Sequence, residues 1–374
     1  MIEKKAKPIR VLHVFNYFNQ GGIENFVMNV YRNIDRSKVQ FDFAFPINKK
    51  GCFDDEARLL GANIYFFDSE KKSFWNYYRN LKRIIEEHGP YAAVHSHIYY
   101  FSGYILLIAK LCGVKIRISH SHETVKGRKQ TFIRKCYERL MRWMIKQNAT
   151  NWLACSDLAG RYVFGPDIPY QVLYNGIDLN RFYFDEESRI RIRQQLHAED
   201  SFIVMNVGRF APQKNHVFII NLFNELLKRI PNSRLILMGT GPLQTQVEEQ
   251  CKSLGISLKV TILHNIHNTE DYYNAADAFI LPSFYEGMPI VSVEAQSTGL
   301  YSFISEKVTR EVSITDIIKY LPIDGNENQW AEELVKASKM KINRDEYRDK
   351  FIDTPFNVKV TVRDLTTIYT SGNE

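Results

Sequence analysis

Residues 281–299 read LPSFYEGMPIVSVEAQSTG, and two carboxylates stand in it where carboxylates are least expected: Glu286 in a tight turn and Glu294 inside an otherwise apolar helix. Ile280 and Leu281 end a short apolar run of strand character, which Pro282, Ser283 and Gly287 break. Pro289 suits the first position of a helix, where its missing N–H costs nothing, and the helix is expected to run to about Gly299. On it Ile290, Val293, Glu294 and Ser297 fall on one stripe at helical spacing. Glu294 therefore shares a face with core residues. A carboxylate buried without partners is costly, so it either reaches a hydrogen-bonding ligand or pairs with a cation elsewhere in the chain. The amides of Gly287, Met288 and Ile290 open the same helix and offer an anion site.

The strand, turn and helix of this stretch recur along the chain. Arg10 to Phe15 is a strand, Gly21 and Gly22 make a turn, and Phe26, Val27, Val30 and Tyr31 give Ile23 to Ile34 helical periodicity. Strands follow at Phe41 to Phe45, Asn63 to Phe66, Ala92 to His95, Lys115 to His120, Asn151 to Ala154 and Gln171 to Leu173, with helices between them. The rhythm restarts at Phe202 to Val207 and repeats through Arg234 to Met238, Lys259 to Leu263, Ala278 to Leu281 and Tyr301 to Ile304. Alternation of this kind predicts two Rossmann-like doubly wound α/β domains with parallel sheets, residues 1–185 and 186–374, facing across a cleft. The hinge is expected between Tyr174 and Asp200, and the last helix, Val358 to Tyr369, is a candidate to pack back on the N-terminal domain.

With 374 residues and 45% hydrophobic content the chain can bury two cores. Its net charge of +7 is mild and spread through the chain, so no nucleic-acid partner is expected. The five cysteines are widely spaced, without a metal-ligand or paired pattern, and fit a reducing cytoplasm. The apolar run after MIEKKAKPIR is too short for a signal peptide, and Tyr99 to Leu111 is too short to span a bilayer.

Several polar residues fall at strand ends, where ligands of open α/β sheets bind. Gly21 and Gly22 let backbone approach a phosphate or sugar, or form a plain turn; Asn19 and Gln20 stand where a dinucleotide fingerprint keeps glycine. In VGRFAPQKN, Arg209 and Lys214 can neutralise a leaving diphosphate, or else are solvated loop cations. Gly239 and Gly241 repeat the turn one strand later. His95 and His97 end one strand while His120 and His122 end the next. Zinc needs a better-defined ligand set than these with Glu123, so no metal is expected and a sugar-facing role is preferred. From Lys126 to Lys146 eight cations interleave with Phe132, Tyr137, Leu140, Met141, Trp143 and Met144. That pattern fits an anionic membrane surface or a core helix with a solvated basic face.

Taken together these residues resemble the retaining glycosyltransferases of the GT-B fold, family four, a group with many bacterial capsule and exopolysaccharide enzymes. The resemblance is carried by the E-x7-E pair Glu286 and Glu294 in PSFYEGMP…VEAQSTGL, and by GGIENFVMNV, VGRFAPQKN, GTGP, YNGIDLNRF and NAADAFILPS. It implies that Glu294 binds the nucleotide ribose, Glu286 the donor sugar, and Gly287, Met288, Pro289 and Ile290 sugar hydroxyls and phosphate. It further implies that Arg209 and Lys214 hold the diphosphate, that Asn265 and Ile266 border the base, and that a histidine of ISHSHET, here assigned to His122, lies beside the donor sugar. The implied reaction needs no cofactor beyond the nucleotide-sugar co-substrate, and no DxD metal motif is found. A hexose, from a UDP-linked donor by resemblance, would pass to a glycan or lipid-linked glycan at the cytoplasmic membrane face. Tyr301 departs from the proline that relatives often carry there. A nucleotide-sugar epimerase on the same fold and a non-catalytic subunit of a transferase pair are the competing readings.

Overall fold

The computed structural model describes residues 7–18, 21–67, 73–122, 131–266 and 268–372. Asn19, Gln20, Glu123, Lys126, Arg128 and Lys129, considered above, lie outside them. The chain forms two compact units: residues 1–176 with 358–374, and residues 177–357.

The first unit is built on seven strands: β1 (Ile9–Val14), β2 (Val39–Phe45), β3 (Ile64–Phe66), β4 (Ala93–Ser96), β5 (Ile116–Ser121), β6 (Asn151–Ala154) and β7 (Gln171–Val172). Their order across the sheet is β3-β2-β1-β4-β5-β6-β7, with parallel pairing throughout. The second holds β8 (Phe202–Val207), β9 (Ser233–Met238), β10 (Val260–Leu263), β11 (Ala278–Leu281), β12 (Tyr301–Ser305) and β13 (Ile318–Leu321), in the order β10-β9-β8-β11-β12-β13. Central strands are buried on both faces, as a sheet covered on both sides requires.

In the first unit one face of the sheet carries Leu12, Val14 and Val94 against helices Phe74–His88 and Ser102–Leu111. The opposite face carries Val11, Phe41, Phe43 and Ile118 against helix Gly22–Asn33 and against Leu365 and Tyr369 of helix Val358–Thr370. That last helix is thus part of the first core. Gly176 makes the junction: a Cβ there would lie 2.6 Å from the Val358 Cα, so only glycine lets the two segments meet.

Two expectations change. The division falls after Gly176 rather than after residue 185, because Ile177 donates to the Phe356 carbonyl inside the second unit. The stretch expected as a hinge contains helix Glu186–Gln195, capped by Asp185. Its arginines are held: Arg189 and Arg193 bond Asp277 and the carbonyls ending helix Thr269–Ala275. Charge density there reflects this network. Helix Asp157–Phe164, capped by Ser156, and edge strand β13 were not expected from periodicity.

Candidate active site

In the second unit the site is assembled on the loops after β8 and β11. Helix Ile290–Ser297 starts one residue later than expected, with Pro289 as its cap. The Ile290 amide donates to the Met288 carbonyl at 2.9 Å, so it is not the free donor the sequence implied. Gly287 and Met288 remain at the head of the helix, one turn ahead of Val293 in the core.

Glu286 meets Lys214. The ammonium lies 2.7 Å from one carboxylate oxygen, both side chains nearly buried, and the Gln213 amide donates to the other oxygen at 3.2 Å. Gln213 also donates to the Tyr285 carbonyl at 2.8 Å and accepts from the Phe284 amide through its own backbone, tying the two loops together. The separate roles implied for Glu286 and Lys214 thus fall on one ion pair. Arg209, by contrast, is exposed. Asn215, in the left-handed region at φ 56°, turns the chain into helix His216–Leu227.

Gly239 and Gly241 answer a backbone need. A Cβ on Gly239 would lie 2.0 Å from the Gly208 carbonyl oxygen, and one on Gly241 2.4 Å from that of Phe210. They let the loop after β9 lie against the loop bearing Arg209 and Lys214. Asn265, also left-handed at φ 53°, and the half-buried Ile266 follow β10, beside His264, whose Nδ1 lies 2.8 Å from the Gly239 carbonyl.

Glu294, the carboxylate the sequence singled out, is half-buried. Its partner among the described residues is the Tyr273 hydroxyl, which donates at 2.9 Å. Burial pushes the Glu294 carboxyl up to about 7, against the opposing pull of Tyr273 and of the Arg181 guanidinium, itself paired to Glu270. A carboxylate accepts about four hydrogen bonds, and a single hydroxyl leaves it capacity for a diol.

In the first unit, five imidazoles share one face of the sheet. His13 pairs in register with His95, and His97, His120 and His122 follow at spacing two on β4, β5 and their ends. Nδ1 of His13 lies 3.1 Å from Nε2 of His97, whose Nδ1 lies 2.9 Å from Nε2 of His122. Nε2 of His95 lies 3.1 Å from Nδ1 of His120, and its Nδ1 is 2.7 Å from the Tyr369 hydroxyl. Burial holds all five well below the ordinary histidine range, His13 and His122 at about 3. They are therefore neutral at physiological pH. Phe26 lies against the rings of His120 and His122, at 5.1 and 5.3 Å between centroids. Helix Gly22–Asn33 begins nearby in sequence at Gly21 and Gly22; neither has positive φ, and a Cβ on Gly22 would meet nothing within 4 Å among the described residues.

Helix Phe132–Asn148 buries only Met141, Ile145 and Asn148. Phe132 and Ile133 are each 81% exposed and Trp143 59%, so the reading as a core helix fails for its aromatic face. Arg142 bonds the Val163 and Tyr162 carbonyls and Arg134 pairs with Glu138, which leaves Lys135, Arg139 and Lys146 as its outward cations. No helix among the described residues is long and apolar enough to cross a membrane.

His13, Tyr369, Gln213 and Tyr273 were missed from sequence. The alternation of His13 with Val14 and Phe15 matches that of the other histidines and was the available signal; the rest are brought in by partners far along the chain.

Comparison with known proteins matches two family models to successive parts of the chain. The family model described as glycosyl transferases group 1 matches residues 188–354, and the one described as glycosyltransferase family 4 matches residues 20–181. EpsF of Bacillus subtilis (strain 168), a glycosyltransferase by name, is 34% identical over 98% of this chain and 97% of its own. The capsular polysaccharide biosynthesis glycosyltransferase CapH of Staphylococcus aureus is 26% identical over 97% and 99%. Among solved structures, Anabaena HepE in complex with UDP and glucose superimposes with a TM-score of 0.79 at 15% identity, covering 97% of this chain and all of that one.

Proposed function

The chain belongs to the group 1, family 4 glycosyltransferases, and from that premise we propose that it moves a hexose from a UDP-linked sugar to a glycan or lipid-linked glycan, with retention, in cell-surface polysaccharide synthesis. The observation that carries this is Glu294: a half-buried carboxylate held, among the described residues, by one tyrosine hydroxyl, with acceptor capacity left for the two hydroxyls of a ribose. The UDP and glucose in HepE, a protein of the same fold, and the capsule named for CapH support it.

The bond from the anomeric carbon to the diphosphate breaks as the acceptor hydroxyl bonds the same face, and the hydroxyl proton passes to the departing diphosphate. No carboxylate nucleophile or metal at the diphosphate is required. Arg209 and Lys214 stabilise charge developing there, and Glu286 positions Lys214 while meeting the sugar. The amides of Gly287 and Met288 serve the phosphate. Asn265 and Ile266 border the base, Gly239 and Gly241 shape the floor beneath it, and Pro289 and Ile290 set the direction of the helix. His122 serves the donor sugar, with His97, His120, Gly21 and Gly22 behind it on the acceptor side. The exposed aromatic and cationic face of helix Phe132–Asn148 suits an anionic membrane surface, which would bring a cytoplasmic protein to a lipid-linked acceptor.

A thermal-shift screen of UDP- and GDP-sugars, followed by turnover with and without acceptor, tests this. Stabilisation by UDP-hexose and acceptor-dependent transfer with an unchanged anomeric configuration are expected. Conversion of the sugar without acceptor would make the protein an epimerase, and absence of turnover with retained binding would make it a subunit awaiting a partner.

A further inference from the structure

The first unit holds more imidazole nitrogen than its hydrogen bonds use. Three ring nitrogens of the array, Nε2 of His13, Nε2 of His120 and Nδ1 of His122, are buried with no hydrogen-bond partner among the described residues. Buried polar atoms without partners are rare in folded proteins and call for an account. Aromatic packing explains why rings stand here but not why they are imidazoles, since phenylalanine would fill the same space with nothing left unpaired.

We propose that His97, His120 and His122 bind a transition-metal ion of the zinc class. One ring nitrogen from each lies within 4.8 Å of the other two, close enough to converge on one ion after small side-chain rotations. A second triple, His13, His95 and His97, meets the same limit but is buried throughout, whereas His122 is half-buried and gives the first triple an approach from solvent. Three neutral imidazoles with an open fourth position form a ligand set suited to zinc, cobalt or copper and unsuited to magnesium or calcium, which require oxygen.

The remaining histidines complete the arrangement. A ligating imidazole is ordinarily oriented by a hydrogen bond from its other nitrogen. If His120 ligates through Nε2, its Nδ1–H donates to Nε2 of His95, which stands 3.1 Å away and is itself held by Tyr369. If His97 ligates through Nδ1, its Nε2–H donates to Nδ1 of His13 at 3.1 Å. Two of the three ligands thus have their outer contacts already made, and the ion would take Nδ1 of His97 from its present contact with Nε2 of His122. The site lies in the first unit, on the same histidines that the proposed function sets on the sugar side, and its occupancy is read by metal binding alone, without donor or acceptor.

Full-length protein, stripped with chelator, is titrated with Co2+ and the spectrum recorded. One equivalent should bind with the intense visible absorption of a tetrahedral nitrogen-ligated ion, be displaced by Zn2+, and be unaffected by excess Mg2+. His120→Gln and the more exposed His122→Gln should each abolish that absorption, and the outer His13→Gln should weaken binding about 10- to 100-fold. His88→Gln, on the surface, should change nothing. Should His120→Gln fail to fold, His122→Gln and the native spectrum still decide. Weak octahedral absorption from the native protein, or full binding by His122→Gln, would overturn the proposal.

Discussion

Glu294→Gln isolates the energy stored in the half-buried carboxyl. In the folded protein that group titrates at about 7, raised chiefly by burial, against an ordinary value of 4.5. A raised acid contributes stability that is whole below the unfolded value and is lost as pH climbs through the folded one. At ~1.4 kcal/mol per unit, the shift is worth roughly 3 kcal/mol in total, most of which is lost between pH 5 and pH 8.5. Glutamine keeps the shape and the Tyr273 contact but does not ionise. The difference in stability between the two proteins should therefore move by about 2 to 3 kcal/mol over that range, in favour of glutamine at high pH. The histidines of the first unit titrate in both proteins and cancel. Hydrogen-exchange mass spectrometry of peptides covering residues 290–297, at rising urea, follows the second unit alone. Binding adds a second readout. Hydroxyls donating to the carboxylate favour its ionised form, so UDP should bind native protein about tenfold more weakly at pH 6 than at pH 8 and release a proton on doing so. Glu294→Gln should bind weakly at both, with nucleotide-sugar turnover lost. A pH-independent stability difference would show that Glu294 is ionised in the fold, and the argument from burial would be wrong.

Lys214→Ala removes the only cation on Glu286 seen among the described residues, and turnover should drop by about 100- to 1,000-fold, the range for losing one stabilising charge; a change under threefold would remove Lys214 from the reaction. Gly241→Ala drives a methyl into the Phe210 carbonyl and should cost about 1–3 kcal/mol in a denaturant titration. Gly22→Ala meets nothing and should leave stability within ~0.5 kcal/mol while lowering turnover if substrate approaches that turn; intact turnover would leave the glycine a plain turn residue. Phe132→Ser with Trp143→Ser should reduce sedimentation with anionic vesicles at least fivefold without shifting the melting temperature, and equal binding to neutral vesicles would remove the electrostatic part of the membrane argument.

Much of this was legible in the sequence because parallel α/β units write themselves as local patterns. The strands that matter are placed within a residue or two by their apolar runs, and the E-x7-E spacing alone puts Glu286 in a turn and Glu294 on an apolar helical stripe. What escaped were relations between distant residues. That Glu286 is tied to Lys214, 72 positions away, and Glu294 to Tyr273 depends on which loops lie together. Charge in residues 185–195 looked like a linker because nothing local says that Arg189 and Arg193 will meet Asp277. His13 was legible but solitary in its own strand, and only the register β1 to β4 turns a pair of doublets into an array.

The contact between Gly176 and Val358 bears on how the protein is made. Residues 177–357 are an insertion between two parts of one core, so synthesis delivers a complete second unit while the first still lacks Leu365 and Tyr369. During that interval the helix Gly22–Asn33 side of the sheet, with Phe41, Phe43 and the histidine rings, stands without part of its cover. Domains of multidomain proteins ordinarily mature from the N-terminus onward; here the order of completion is reversed, and the imidazole of His95 waits for a hydroxyl supplied 274 residues later.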